Sequence, residues 1–366
     1  RVPDEKRLAW AKEVVAGLGG RKVQSQPEIY AREAVLLHET PEVELKIQAL
    51  RVGDGGIATM PNEVFAISGL KVKSASPLRP TMVVTLANGA EGYIPPPEQH
   101  ALGGYTTWPA RTAALEVGAE PRIVETAVQL LEQASGKPRV PFSEPDSPYA
   151  KAVLASKPIA YWRLGELSGP LLADASGHGR AAEVEGAVAL HLDGPPFPGA
   201  AAPNRGVQMA GGRLRIPELA LGDAWTVELW FQDVLPADSD VPRGWLLRRA
   251  LADGPPEDGL GVRPGRQHAI GFKKRFPGSR AEGDAGNPGP ARAWAHLVVT
   301  FDAGSMRIYV DNQEILHLAS AAPRLGPLRL GGLDGEPGFE GRLDEVAVYD
   351  RALSPLEVAA HLRSAR

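Results

Sequence analysis

Two acidic residues in the second half of the chain have the chemistry of ligands for a hard cation. Asp174 opens the turn Asp-Ala-Ser-Gly-His-Gly at 174–179, and Asp344 lies within the apolar segment 341–349. Calcium prefers oxygen ligands, and a turn supplies backbone carbonyl oxygens beside a carboxylate. We therefore predict a structural calcium ion at Asp174 and Asp344. The alternative is that Asp174 forms an Asx turn and Asp344 caps a strand.

An aromatic segment at 225–230, Trp-Thr-Val-Glu-Leu-Trp, could either stack on sugars or fill a core. Side chains alternate between the two faces of a strand, so Trp225, Val227 and Leu229 share one face. We favour the core of a β-sandwich, with a sugar-stacking platform as the alternative. The second half shows no pair of carboxylates at matched strand positions, as a glycosidase of such a fold would need.

The composition excludes several classes of function. The chain has 366 residues, which predicts two domains, and its net charge of −4 argues against a nucleic-acid partner. No apolar run approaches the ~20 residues of a membrane span, and the first residues do not resemble a signal peptide. With no cysteine, disulfides and thiolate metal sites are excluded.

The first part of the chain alternates between helical and strand periodicity. Residues 121–134 have helical spacing with a proline in the first turn, and residues 81–86 are rich in β-branched side chains. Alternation of this kind predicts an α/β domain with a mixed sheet at 1–136. The other predicted helices are 4–18, 30–37 and 64–72, and the other predicted strands are 43–50 and 56–60.

The sequence changes in character after a polar, proline-containing linker at 137–148. Residues 149–366 show short alternating segments separated by glycine and proline, which predicts an all-β sandwich. A single helix is predicted, at 354–366, and residues 276–290 are predicted to form a long mobile loop. The predicted strands are 160–164, 207–209, 213–216, 225–231, 245–248, 269–272, 295–301, 306–310, 328–330 and 345–349.

Several of these segments carry a family resemblance. They are Tyr-Trp-Arg-Leu-Gly-Glu at 161–166, the turn at 174–179, the strand at 225–230, the paired strands at 294–302 and 306–311, and the closing segment 341–354. Together they resemble the laminin-G-like, concanavalin-like jelly-roll family. The resemblance implies a secreted, extracellular or periplasmic module that binds a glycan or another protein.

The first domain resembles a different family. Residues 47–54 (Ile-Gln-Ala-Leu-Arg-Val-Gly-Asp), 60–65 (Met-Pro-Asn-Glu-Val-Phe), 86–89, 92–97 (Gly-Tyr-Ile-Pro-Pro-Pro) and 103–108 occur in an order similar to the latter part of neutral/alkaline, non-lysosomal ceramidase-like hydrolases. The resemblance covers about 4–132. It implies a zinc-dependent hydrolase acting on lipid amides.

The resemblance also implies a metal site. The family holds zinc with two upstream histidines, a glutamate and a tyrosine, which correspond here to Glu63 and Tyr93. The chain contains no counterpart of the histidine and nucleophilic-serine segments, and His38 and His100 lie in no matching motif. A catalytic zinc needs at least three protein ligands, so we predict no catalytic residue in this chain and no activity of the chain alone. The alternative is a metal-free loop carboxylate at Glu63 and a packed ring at Tyr93.

These observations favour a C-terminal part of a ceramidase-like zinc amidohydrolase with an appended laminin-G-like binding module. An upstream chain of the same precursor would supply the remaining sheet and metal ligands. The alternative is a non-catalytic extracellular protein that uses the jelly-roll for glycan or protein recognition. Asn62, where the family more often has a small residue, hints at this second interpretation.

Overall fold

The fold of the protein comes from a computed structural model that describes residues 1–236, 239, 244–253, 258–265, 270–276, 279–285, 292–319, 325–332 and 338–366. The chain forms two compact units, Arg1–Ser143 and Glu144–Arg366. The first combines helices with small sheets and the second is an antiparallel sandwich. The predicted fold class, a mixed α/β domain followed by an all-β sandwich, is confirmed. Among the described residues, no helix is both long enough and apolar enough to cross a bilayer.

The helices of the first unit begin where the sequence supplies caps. Asp4 accepts a hydrogen bond from the Arg7 backbone N–H, and Ser25 forms a capping box with Glu28. The last helix ends at Gly136, which adopts the left-handed conformation. The helices are α1 (Glu5–Gly17), α2 (Gln26–Glu39), α3 (Ala66–Ala75), α4 (Pro97–Leu102) and α5 (Ala119–Ser135).

The first unit has two small sheets. Strands β1 (Gln48–Val52), β2 (Gly55–Thr59) and β4 (Thr81–Val84) form one sheet in the order β1-β2-β4, with β2 parallel to β4. Strands β3 (Glu63–Val64) and β5 (Tyr93–Ile94) form a parallel pair.

The predicted strand 43–50 begins only at Gln48, which pairs with Thr59 at the end of β2. Pro61 follows soon after Thr59, and a proline cannot donate to a longer ladder.

One face of the three-stranded sheet is buried and the other is open. Ala58, Met60 and Leu131 belong to the core under α5. Leu50 and Val52 on β1 are 55% and 67% exposed, and Met82 on β4 is 59% exposed. Apolar side chains grouped on one sheet are a usual sign of a surface that another polypeptide covers.

The second unit consists of two packed antiparallel sheets. The strands are β6 (Ala160–Trp162), β7 (Leu171–Leu172), β8 (Ala182–Glu185), β9 (Val188–Asp193), β10 (Arg205–Ala210), β11 (Arg213–Arg215), β12 (Ala224–Asp233), β13 (Leu247–Leu251), β14 (Gly259–Pro264), β15 (Ile270–Phe276), β16 (Ser279–Ala285), β17 (Ala295–Asp302), β18 (Ser305–Val310), β19 (Gln313–Leu318), β20 (Leu325–Leu330) and β21 (Glu340–Tyr349). The first sheet has the order β19-β18-β17-β12-β21-β10-β9, with β6 beside β21, and the second has the order β16-β15-β14-β13-β20-β11-β8-β7.

Strand β12 shows why the aromatic segment belongs to the core. Trp225, Val227 and Leu229 are fully buried in the cluster between the two sheets. Trp230 points to the opposite face and packs there with Tyr149 and Phe197. The predicted alternation is correct, but both faces of β12 are covered.

Two helices cover the outer face of the first sheet, and one of them was not predicted. Helix α7 (Pro355–Ser364) begins with the capping box of Ser354 and Glu357, as the sequence indicates. Helix α6 (Pro148–Ala155) begins at the end of the predicted linker, with Ser147 as its cap. At eight residues it is too short for its periodicity to be distinctive.

The prediction of a mobile loop at 276–290 was wrong for its first part. Residues 279–285 form β16, which pairs with β15 from Phe276↔Ser279 to Ile270↔Ala285. Glycine and charged residues at 279–285 suggested a loop, but pairing with a neighbouring strand outweighs weak strand propensity. Residues 277–278 and 286–290 of the predicted loop lie outside the described residues.

Candidate functional site

The strand pair β3–β5 brings together the two residues that the sequence nominated as metal ligands. Glu63 and Tyr93 are directly opposed in its register, although 29 residues separate them. The backbone N–H of Glu63 donates to the Gly92 carbonyl at 3.0 Å. Both side chains are half-buried, and the Glu63 carboxylate lies close enough to the Tyr93 hydroxyl to raise the pKa of the phenol.

Asn62 connects the two segments that carry this pair. Its side chain is fully buried, and Nδ2 donates to the carbonyls of Glu91 at 3.3 Å and Gly92 at 3.4 Å. Its own carbonyl accepts from the Leu86 backbone N–H at 3.1 Å. In the sequence, Asn62 hinted at the non-catalytic interpretation, which stays a prediction. In the structure, Asn62 fixes Gly92 immediately before Tyr93.

Gly92 is required by geometry. Its φ is +74°, and a Cβ at this position would lie 2.5 Å from the Thr112 carbonyl oxygen. A side chain would therefore be strained in conformation and would also clash with backbone. The Gly-Tyr pair of the sequence reflects this close approach, which sets the position of the tyrosine ring.

A second tyrosine extends the pair. The Tyr105 hydroxyl donates to the Tyr93 hydroxyl, and the rings meet edge-to-face at 5.3 Å. The neighbouring Tyr105 hydroxyl and Glu63 carboxylate raise the pKa of Tyr93, so its phenol is harder to ionise than an isolated tyrosine. Sequence reasoning did not nominate Tyr105, although it lies in the quoted segment 103–108.

The donor set at this place suits zinc but is incomplete. A carboxylate and a phenolate are acceptable zinc ligands, yet a catalytic site uses three protein ligands and water. Across the described residues, no group of three or more His, Cys, Asp or Glu side chains is arranged to hold a metal. His38 lies in α2, and His100 contacts the guanidinium of Arg1 at 3.3 Å. Zinc at Glu63 and Tyr93 stays a prediction.

Asp174, the first calcium candidate, is saturated with hydrogen bonds. Its Oδ1 accepts from the backbone N–H groups of Tyr161 and Ser176 at 3.0 and 2.9 Å, and Oδ2 accepts from the Arg180 N–H at 2.9 Å. These contacts lower the pKa of Asp174 although burial opposes them. They form the Asx turn that was the alternative interpretation.

Asp344, the second calcium candidate, has different surroundings. It is fully buried, and its Oδ2 accepts from Nδ2 of Asn204. Oδ1 of Asp344 and Oδ1 of Asn204 are buried without a hydrogen-bond partner. Burial, followed by the charge of Glu345, raises the pKa of Asp344 well above its usual value. Two orphaned oxygens suit a hard cation. Asp174 and Asp344 share no hydrogen-bond partner, and calcium stays a prediction.

A buried glutamate under α6 and α7 was not nominated by the sequence. Glu228 on β12 is fully buried and accepts from the hydroxyls of Tyr149 and Tyr349 at 3.0 and 3.1 Å. It also contacts His296 Nε2 at 2.7 Å and His361 Nδ1 at 2.9 Å. Burial would raise the pKa of Glu228, but the hydrogen bonds with the two histidines outweigh it and lower the pKa. The network stabilises the docking of both helices.

Comparison with known proteins supports the fold of the second unit. Residues 208–359 match the Laminin_G_3 family model, described as the concanavalin A-like lectin/glucanases superfamily. The match lies entirely within the sandwich, which is therefore a concanavalin-like jelly-roll domain. No curated protein matches the sequence.

Several solved structures are similar to part of the chain. Domain 4 of an extracellular GH43 arabinanase from Geobacillus stearothermophilus, in complex with arabinotriose, is 17% identical with a TM-score of 0.42, over 61% of this chain and 100% of that domain. A Trypanosoma rangeli sialidase is 17% identical with a TM-score of 0.42, over 57% of this chain and 32% of that chain. The binding domain of botulinum neurotoxin DC, in complex with rat synaptotagmin II, is 13% identical with a TM-score of 0.40, over 58% of this chain and 52% of that chain.

Proposed function

We propose that the first unit contributes two ligands to the zinc site of a ceramidase-like amidohydrolase, and that the jelly-roll is the binding module of this enzyme. The observation that carries the proposal is the pairing of Glu63 with Tyr93 on β3 and β5. The sequence nominated both residues independently of any structure. The two residues are cross-strand neighbours, and a glycine and a buried asparagine fix the backbone that holds them.

The residues at the proposed zinc site have separate roles. Glu63 and Tyr93 bind the metal, and Tyr105 donates to the Tyr93 oxygen and so orients it. Bound zinc would lower the pKa of a coordinated water and polarise the amide carbonyl. Because the phenol of Tyr93 is protonated in the metal-free form, zinc binding releases that proton and becomes tighter as pH rises.

The remaining ligands would be histidines of another polypeptide segment, and the open face of the sheet supports this. Leu50, Val52 and Met82 are each more than half exposed on β1 and β4. These two strands are also the edges of the three-stranded sheet, where a further strand could pair. We propose that an upstream chain of the same precursor covers this face and completes the metal site.

The test is native purification from the source, followed by intact-mass and metal analysis. We expect a histidine-bearing polypeptide to co-purify with about one zinc per complex. In that complex, Glu63→Gln and Tyr93→Phe should each lower the zinc content. The matched control is Glu116→Gln, since Glu116 is exposed and pairs with an exposed arginine. A chain that purifies alone without zinc contradicts the proposal.

A second candidate function is recognition without catalysis. The match of residues 208–359 to a lectin/glucanase superfamily favours glycan or protein binding by the jelly-roll itself, outside the cell or in the periplasm. Under this alternative, Glu63→Gln and Tyr93→Phe leave ligand binding by the full chain unchanged. Native purification with metal analysis distinguishes the two, because only the first proposal requires a zinc-loaded partner chain. A glycan-array screen of the full chain tests whether the jelly-roll binds a glycan, which both proposals allow.

A further inference from the structure

A serine, a histidine and a glutamate form a continuous hydrogen-bonded chain on the outer face of the first sheet of the jelly-roll. The Oγ of Ser156 lies 2.8 Å from Nε2 of His361. The other ring nitrogen, Nδ1 of His361, lies 2.9 Å from Oε2 of Glu228. Both distances are within the range expected for a nucleophile, its base and the group that orients the base. This order of contacts is that of a serine-hydrolase triad, which is recognised by geometry and not by sequence position.

Three distant segments supply these side chains. Ser156 directly follows α6, Glu228 lies on β12 and His361 lies on α7. In the sequence, 205 positions separate the serine from the histidine, and 133 separate the glutamate from the histidine. No local motif connects them, which is why the sequence led us to expect no catalytic residue in this chain.

The buried carboxylate sets the role of the histidine. Burial opposes ionisation of Glu228, but its hydrogen bonds with His296 and His361 lower its pKa, so the carboxylate is charged at neutral pH. A charged carboxylate accepts the proton on Nδ1 of His361, which leaves Nε2 as an acceptor for the hydroxyl of Ser156. The His361 ring is 2% exposed and held at both nitrogens, as a general base requires.

The serine end of this chain faces solvent, whereas the other end is closed. Ser156 is part-exposed, and its neighbours Ala155 and Lys157 are exposed. Lys157 has a φ of +56°, a conformation uncommon for lysine, which turns the backbone sharply after α6. A substrate therefore approaches the serine from the surface, while His361 and Glu228 stay shielded from water.

Arg351 supplies positive charge beside the serine. Its Nη2 donates to the Ser156 carbonyl at 3.3 Å and to Oε1 of Glu357 at 2.7 Å. The backbone N–H groups of Ser156 and Lys157 donate to carbonyls of α6, so they are not available to an oxyanion. A guanidinium carries five N–H donors, and these two contacts leave donors for the oxygen of a substrate carbonyl.

We propose that Ser156 and His361, oriented by Glu228, form an esterase site that hydrolyses carboxylic esters. Ser156 Oγ attacks the ester carbonyl carbon while its proton passes to Nε2 of His361, and Arg351 stabilises the oxyanion. The C–O bond to the leaving alcohol then breaks, and His361 returns the proton to that alcohol. Water attacks the acyl-serine with His361 as base, which releases the carboxylic acid and restores the serine.

Two features define the scope of the proposal. An ester is the expected substrate class because one part-exposed cation stabilises the oxyanion weakly, and an alcohol leaves more readily than an amine. Glu228 is a positioning residue, since it contacts the base and not the serine. The site depends on neither zinc nor the first unit.

The first test is labelling of the full chain with a fluorophosphonate, followed by intact-mass measurement and peptide mapping. We expect the Ser156 oxygen to displace fluoride and carry the phosphonyl group. Ser156→Ala should abolish the label, and the control Ser168→Ala, at an exposed serine, should keep it. Arg351→Gln should slow labelling roughly tenfold or more, since it removes the oxyanion donor. Hydrolysis of p-nitrophenyl acetate should follow the same order among the variants.

The second test separates activation of the nucleophile from turnover. The chain has no cysteine, so Ser156→Cys introduces a unique thiol. His361 and Glu228 should favour its thiolate, and iodoacetamide at pH 7 should alkylate it about tenfold faster than the thiol of Ser168→Cys. Ser168 is the more exposed of the two positions, so accessibility alone predicts the opposite order.

The outcomes of the two tests are distinct. A label that is lost in a folded Ser156→Ala variant, together with faster alkylation of Ser156→Cys, supports the esterase site. An unlabelled wild type, or a label that survives Ser156→Ala, overturns the esterase assignment. Equal alkylation rates of the two cysteine variants overturn the triad itself, and this comparison decides the matter if Ser156→Ala does not fold.

Discussion

Replacing Glu228 with alanine should destabilise the jelly-roll severely. The substitution leaves four buried donors without their acceptor: the hydroxyls of Tyr149 and Tyr349 and the ring nitrogens of His296 and His361. An orphaned buried donor costs about 1 kcal/mol or more, so four cost about 4 kcal/mol. Removing one partner of a buried ion pair costs roughly 3–5 kcal/mol, which gives the same magnitude.

The assay is urea unfolding of the full chain, monitored by near-UV circular dichroism. The jelly-roll transition is fitted separately, because two units need not unfold together. Glu228→Gln keeps the shape and one acceptor oxygen and should cost about 2 kcal/mol. The control is Glu314→Ala, which removes an ion pair at 2.8 Å between two partly exposed side chains and should cost less than about 1 kcal/mol.

The same residue predicts a pH dependence. The pKa of Glu228 is lowered in the folded state, so its contribution is fully present above the unfolded pKa of about 4.3 and is lost as pH falls below it. The unfolding free energy of the jelly-roll should fall below pH 4.5 more steeply in the wild type than in Glu228→Gln. An unfolding free energy of Glu228→Ala within about 1 kcal/mol of the wild type would mean that the network is energetically neutral and would refute this prediction.

Three further predictions concern single positions. Burial raises the pKa of Glu144 to about 7, although the charge of Arg163 opposes this shift. The contribution of Glu144 to the unfolding free energy is therefore fully present below about pH 4.5 and is lost as pH rises through 7. Glu144→Gln should stabilise the jelly-roll by about 1–3 kcal/mol at pH 8 and little at pH 4, as thermal unfolding at both values would show; an equal effect at both would contradict this. Gly92→Ala should cost the first unit about 2 kcal/mol or more, while Gly69→Ala, which meets no atom within 4 Å and lies in α3, should be neutral or stabilising; equal urea midpoints would disprove the role of Gly92. Calcium should raise the melting temperature of the jelly-roll, and Asp344→Ala should abolish the increase, whereas Asp174→Asn should retain it; an increase that survives Asp344→Ala would exclude this residue as a ligand.

The sequence was informative wherever a local pattern decides the structure. The alternation at 225–230 predicted the two faces of β12, and the Ser354–Glu357 capping box predicted the start of α7. The motifs around Glu63 and Tyr93 identified both residues as candidate ligands. Their pairing on β3 and β5 depends on a parallel contact that no local pattern encodes.

The properties missed by sequence reasoning arise from long-range contacts. Glu228 alternates like any outward-facing strand residue, and only the helices packed over it make it buried. Arg249 on β13 is 2% exposed and its Nη1 has no hydrogen-bond partner, yet nothing in the neighbouring sequence indicates a buried cation. Tyr105 follows two glycines, Gly103 and Gly104, and its sequence does not indicate that its ring packs against the ring of Tyr93.

The partners of Glu228 also determine the order in which the jelly-roll can fold. Its bonds reach 79 residues towards the N-terminus, to Tyr149, and 133 residues towards the C-terminus, to His361. Because contacts between residues far apart in the sequence slow folding, we expect the outer face of the first sheet to form late. A chain in which α6 and α7 have not docked would expose Trp230 and Tyr349 on that face, and we expect it to aggregate there. Refolding yield should therefore decrease as protein concentration rises, even where the native state is stable.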